Sequence, residues 1–227
     1  MAGVTPCATG WLVASAKLQG ANFSPEDPRV VETFIDVLDQ RPTFSAIAVN
    51  APIGYVEDTV EGGRACDREA RAMLGRRGST VRTAPKRAVM AEGVTGPGKH
   101  LDAVTRKLLP RYREVAAEMA PYRQRTVYEA HAEMSFYQLN GEVPLRWSKK
   151  TERGWEERRT LLEKRIPGVQ RILGAEIPRV PYSHLLDAAA FLWTARLILA
   201  RAAKRLPEDP EWDEDGLRTR SFTQGAF

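Results

Sequence analysis

Gly3-Val4-Thr5-Pro6-Cys7-Ala8-Thr9-Gly10-Trp11-Leu12-Val13-Ala14 opens the chain with two apolar arms around the loop Pro6 to Gly10. The pattern predicts a β-hairpin. Further along, Asp27-Pro28 has the form of an N-cap followed by proline at the first helical position. Val30, Val31, Phe34, Ile35 and Leu38 give the expected helix an apolar face. Ala46-Ile47-Ala48-Val49 is a short apolar run that stops at Asn50-Ala51-Pro52, which suits a buried central strand. Early strands, a helix, a buried strand and then mostly helical sequence predict an α/β fold in layers.

The helical part has its own punctuation. Arg64 to Leu74 predicts a helix with Cys66, Ala70, Met73 and Leu74 buried and Arg64, Asp67, Arg68 and Arg71 on a separate charged face, ended by Gly75. Arg76 to Thr80 reads as a loop. Leu101, Val104, Leu108, Tyr112, Val115 and Met119 keep helical spacing across Pro110, as one kinked helix or two short ones. Thr126 to Glu129 predicts a short strand, with a helix from about His131. Glu152 to Arg165 is a heavily charged helix, and Ser183 is placed to cap a last helix running to about Lys204. The whole reads as one domain over 1–227, with 64–120 as a basic helical insertion and 206–227 as an acidic exposed tail.

Composition excludes disorder and fibrous classes: of 227 residues, 43% are hydrophobic and 28% charged. The net charge is +5, and its distribution is uneven. Residues 64–87 hold eight basic side chains against Asp67 and Glu69, a local +6 that exceeds the whole net charge. Such a segment attracts phosphate or another anion, or forms a solvated arginine-rich face. Cys7 and Cys66 form no C-x-x-C pair, which argues against a disulfide framework or a zinc finger. No charged segment followed by an apolar one opens the chain, and Leu185 to Ala200 is short for a membrane span. A soluble cytoplasmic protein is expected, with no membrane partner.

Gly93 to His100 nearly matches a phosphate-binding P-loop. His100 stands where a serine or threonine should ligate magnesium, and no apolar strand precedes it, so a Gly/Pro loop is the better reading. Asp187 lies in Leu185 to Trp193, apolar nearly all round, and a buried carboxylate needs a cation, a metal or several donors. Glu129 and Glu133 bracket His131 near a strand end, where carboxylates suit metal or acid/base chemistry.

Together these pieces resemble a known family. They are Gly3-Val4 with Cys7 and Gly10-Trp11, then Ala51-Pro52-Ile53-Gly54, then Arg64-Ala65-Cys66-Asp67 with Ala70-Arg71 and Leu74-Gly75-Arg76-Arg77. Ala84-Pro85, Gly98-Lys99, Glu129-Ala130-His131 with Glu133, Ser135 and Phe136, Ser148-Lys149-Lys150-Thr151, Leu186-Asp187-Ala188 and Gly216-Leu217-Arg218 follow in order. The chain resembles domain-of-unknown-function family 429, described as predicted nucleases of RNase H-like fold. The resemblance implies an α/β domain with a mixed central sheet, antiparallel in its first strands and flanked by helices. It further implies hydrolysis of phosphodiester bonds by two divalent metals held on acidic side chains. Magnesium favours such oxygen ligands, and manganese is the other candidate.

The sequence departs from that pattern at two positions. The family has Asp where Thr5 and Asn50 stand, so two formal charges are missing from the implied metal site. Glu129, Asp187 and Glu133 remain as candidate ligands, with Asp67 nearby and His131 as candidate acid/base. The leading expectation is therefore a protein with a partly degenerate metal site, which binds nucleic acid or a phosphorylated ligand through Arg76, Arg77, Arg82 and Arg87. The alternatives are an active metal-dependent phosphodiesterase or nuclease, and a non-enzymatic scaffold in which the acidic tail meets the basic segment.

Overall fold

The opening hairpin forms as its pattern predicts. In the computed structural model, which describes residues 1–20, 22–57, 61–91 and 101–224, β1 (Ala2–Cys7) runs antiparallel to β2 (Gly10–Gln19). Val4 lies opposite Val13, and Ala8-Thr9 makes the turn. The apolar run after Ala46 becomes β5 (Ile47–Val49), parallel to β1, and β6 (Val127–Glu129) lies parallel to β5. β3 (Asn22–Pro25) and β4 (Arg29–Val31) both pair with β2, at different parts of its edge. The order β3-β2-β1-β5-β6 is a mixed sheet, antiparallel in its first strands, as the resemblance implies.

Alternation along the strands sorts two cores. Ala2, Val4, Trp11, Val13, Ile47 and Val49 face α1 (Phe34–Leu38) and α4 (Ala103–Glu118). Leu12, Ala14, Ala16 and Ala48 face α8 (Tyr182–Leu199). That helix is apolar all round because the sheet covers one side and α5 (Ala132–Leu139), α6 (Glu152–Arg165) and α7 (Gln170–Leu173) cover the other. Gly3 sets how close α8 comes: a Cβ there would stand 2.1 Å from the Ala188 carbonyl oxygen and 2.2 Å from the Leu192 nitrogen. No helix among the described residues is long and apolar enough to cross a membrane.

Several sequence expectations change. The helix expected from Pro28 begins only at Phe34, where Thr33 and Asp36 form a capping box. Arg29 to Val31 instead pairs with Trp11 to Val13, because the open edge of β2 offers backbone partners that β-branched Val30 and Val31 suit. Helix α2 (Ala65–Leu74) forms, but Arg64 and Asp67 are buried instead of lying on a charged face. Arg76 to Thr80 belongs to a 3₁₀ turn, Gly75–Thr80. Pro110 lies inside one helix. The last helix starts after Pro181, with no side-chain cap, and ends at Leu199.

Residues 64–120 all lie in the crossover between β5 and β6, which parallel neighbours require. Within it, α3 (Arg87–Ala91) precedes the P-loop-like stretch 93–100, with Gly98, Lys99 and His100, which is outside the described residues. The acidic tail is anchored. After α8, β7 (Ala203–Leu206) and β8 (Ser221–Gln224) pair antiparallel, and Leu206, Leu217, Thr219, Ser221 and Thr223 are buried. Of its acids, Glu208, Asp209, Glu211, Glu214 and Asp215 are exposed while the Asp213 side chain is buried, and apolar residues between them hold the segment to the body.

Candidate functional site

The ends of β1, β5 and β6 come together at the carboxyl edge of the parallel part of the sheet, where ligands of open α/β sheets commonly bind. Asn50 follows β5 and donates its backbone N–H to the Val4 carbonyl at 2.9 Å. Its amide Nδ2 reaches Thr5 Oγ1 at 3.4 Å. The two positions where the resemblance implies acids are thus neighbours, joined by a neutral hydrogen bond.

Glu129 ends β6 and is almost wholly buried. Its carboxylate is taken by Arg64, the residue that precedes α2. Arg64 Nη2 donates to Glu129 Oε1 at 2.6 Å and Nη1 to Oε2 at 2.9 Å. The same guanidinium donates from Nε to Asp67 Oδ2 at 3.1 Å and from Nη2 to Asp67 Oδ1 at 2.8 Å. Nη1 also donates to the carbonyls of Ile53 and Gly54. One planar fork therefore joins two carboxylates and the Ala51-Pro52-Ile53-Gly54 turn, the bidentate geometry that arginine alone provides. The Ile53 and Ala84 backbone N–H groups donate to Glu129 and Asp67 respectively.

The charges respond to this packing. Burial by itself would raise the Asp67 carboxyl, but the Arg64 charge and its hydrogen bonds outweigh burial and hold it below its usual value. Arg64 is buried too, and the carboxylates keep it firmly protonated. Burial pushes the Cys66 thiol up, so it stays protonated. His131 Nε2 lies 3.5 Å from Glu129 Oε1 and 3.8 Å from Asp67 Oδ1, with no hydrogen-bond partner.

Cys66, Asp67 and Glu129 place ligand atoms within 4.8 Å of one another, a spacing compatible with a metal ion. The donor set does not fit one. The thiol is neutral, the carboxylate oxygens already accept from a guanidinium 2.6 to 3.1 Å away, and Arg64 is only 1% exposed. A divalent ion reaches these oxygens only by expelling a buried cation.

Asp187 is held elsewhere. It is buried in α8, and Lys149 Nζ donates to its Oδ2 at 2.6 Å. Its Oδ1 has no hydrogen-bond partner. Among the described residues, no hydrogen bond or ion pair joins it to Glu129. Nearby His184 is kept below its usual pKa by burial, against the opposing pull of Asp187.

A family model covers residues 3–212, nearly the whole of this arrangement. The chain belongs to the DUF429 family, described as protein of unknown function. A structure of Thermus thermophilus RuvC aligns with 88% of this DUF429 chain and 95% of its own, at 18% identity and a TM-score of 0.38. No curated protein matches the sequence.

The remaining candidates of the DUF429 protein separate from Glu129. Glu133, in the first turn of α5, takes Arg158 Nη2 on both oxygens, at 3.0 and 2.8 Å, and Arg77 Nε at 2.8 Å. The Glu129-His131-Glu133 trio is therefore split between two clusters. Of the four arginines expected to face phosphate, Arg77 is tied to Glu133, and Arg82 lies 2.8 Å from Asp102. Arg87 meets Glu57, Asp213 and Asp215. Arg76 is exposed and forms no ion pair among the described residues. Arg64, Lys149 and Arg158 are the residues that sequence reasoning passed over. Lys149 stood in a quoted motif without a role, and Arg158 stood in a charged helix with nothing to single it out.

Proposed function

We propose that this DUF429 protein binds nucleic acid or another phosphate-bearing ligand, on an RNase H-like sheet whose acidic centre is closed by the chain's own cations. The observation that carries the reading is the Arg64 fork between Asp67 and Glu129. Lys149 on Asp187 and Arg158 on Glu133 extend the same substitution. Thr5 and Asn50 offer neutral oxygens where two-metal hydrolysis needs charge. The surplus of positive charge supports an anionic partner. Within the basic segment Arg76 is the readiest phosphate contact, whereas Arg77, Arg82 and Arg87 reach phosphate only by leaving carboxylate partners.

One observation favours the enzymatic alternative. Asp187 Oδ1 lacks a partner, and Lys149 is 41% exposed, so magnesium or manganese at Asp187 has a weaker competitor than at Glu129. The test compares wild type with Arg64→Ala in thermal melting and urea unfolding, with and without manganese. Arg64→Ala leaves two buried carboxylates without their cation and is expected to lose about 3–5 kcal/mol. Manganese is expected to recover part of that loss and to leave the wild-type midpoint unmoved. Wild type is expected to bind a single-stranded oligonucleotide without metal, more weakly as salt rises. Metal-dependent cleavage that disappears in Asp187→Asn would overturn the reading in favour of a hydrolase.

A further inference from the structure

We propose that the cleft between the C-terminal end of α8 and the β7–β8 hairpin is a phosphate-binding site. The inference rests on the anion-binding reading above and names where the phosphate sits. The cleft has a volume of about 540 Å³, within the range that accepts a nucleotide. Arg201, Lys204, Arg205 and Arg220 line it, with Phe222 on its wall and Glu208 as the one lining carboxylate.

These cations lack the partners found elsewhere. Arg205 donates through Nη2 to the Glu208 carbonyl, and its buried Nε has no hydrogen-bond partner. Arg220 makes a long hydrogen bond, 3.5 Å, to the Gln124 carbonyl and lies over the Phe222 ring at 5.2 Å, with no carboxylate partner among the described residues. Among the described residues none of the four forms an ion pair, whereas Arg77, Arg82 and Arg87 in the basic segment all do. Another cleft, about 660 Å³, has its arginine neutralised: Arg111 lies 2.5 Å from Glu114. Burial, with the like charges of Arg218 and Arg205, also holds Arg220 below its usual pKa, so these cations are crowded.

Arg201 adds a backbone observation. It follows the C-cap of α8 with φ of 56°, in the left-handed region where glycine is the ordinary choice. The negative end of the helix favours a cation there. It does not account for Lys204, Arg205 and Arg220, which lie on or beside the hairpin strands. An anion that enters the cleft relieves the crowding, and guanidinium forks match its oxygens. The position also suits the rest of the molecule. Phe222 forms an isolated bridge to Ala130, the residue between Glu129 and His131, so the hairpin that lines the cleft abuts the edge of the main sheet beside β6.

The phosphate can belong to a free nucleotide or to a nucleic-acid strand, and the experiment distinguishes them. Arg201→Gly/Lys204→Gln removes two exposed charges, and glycine suits the left-handed position, so the fold is expected to survive with an unchanged or higher unfolding midpoint. Binding of a fluorescent single-stranded oligonucleotide is followed across salt, with adenosine monophosphate and adenosine as competitors. The double variant is expected to bind about tenfold more weakly at low salt, with a log–log salt slope shallower by about one to two. Competition by the monophosphate and not by adenosine assigns the site to a free phosphate group. Competition by unlabelled oligonucleotide alone assigns it to a strand. Unchanged affinity and slope would overturn the site, as would a loss found only in Arg76→Gln; both leave the anion-binding reading standing. A wild-type protein that binds neither oligonucleotide nor monophosphate at low salt overturns that reading and the site together.

Discussion

Arg64 decides the chemistry of the centre. Its guanidinium sits between Asp67 and Glu129, because leaving both carboxylates buried and unpaired is costly. The pairing also sets a pH dependence. Asp67 titrates below its usual 3.8 when folded, because Arg64 outweighs the effect of burial. The unfolded chain therefore takes up this proton more readily. The stabilisation is fully present above about pH 4 and is lost as pH falls through the folded value. Urea midpoints measured from neutral pH into acid are expected to fall over that window in wild type. In Asp67→Asn the curve is expected to be flatter and to start lower, because the residue cannot lose a proton. An acid limb of unchanged steepness would mean that other carboxylates govern it.

Elements are placed by close backbone approach as much as by pattern. α8 lies on β1 only because position 3 carries no side chain, and both nearest atoms are backbone, which cannot rotate away. Gly3→Ala is expected to push the helix off the sheet and cost about 1–3 kcal/mol, as overpacking does, read from chemical unfolding. A loss near zero would show that the helix can slide. The same competition between elements explains Arg29 to Val31. Local sequence favours a helix there, but pairing with β2 satisfies the backbone groups of both segments.

Over the whole molecule, the C-terminal segment ties the ends of the fold together. Asp213 accepts from the Tyr55 backbone N–H at 3.1 Å and meets Arg87, while Gln124 exchanges hydrogen bonds with the Arg218 backbone. A chain cut after Arg205 loses the burial of Leu206 and Leu217, worth about 1.5–3 kcal/mol each when complete, besides these bonds. It is expected to melt earlier and to be cleaved faster in limited proteolysis. Equal resistance would mark the hairpin as dispensable.

By itself the sequence determined the hairpin, the buried central strand, the extents of α2 and α6 and the burial of Asp187. Each of these follows from local periodicity, capping or an apolar run, which a single segment carries. Through the family resemblance it also marked Thr5 and Asn50 as neutral residues where the family has Asp. The tertiary structure decided which cation meets which acid. Arg64 and Glu129 are 65 residues apart, Lys149 and Asp187 are 38 apart, and no local spacing encodes those partners. It also turned an acidic tail into an anchored hairpin beside a basic cleft. The physical reason is common to both: net charge is read along the chain, whereas neutralisation depends on which side chains burial brings within hydrogen-bond reach.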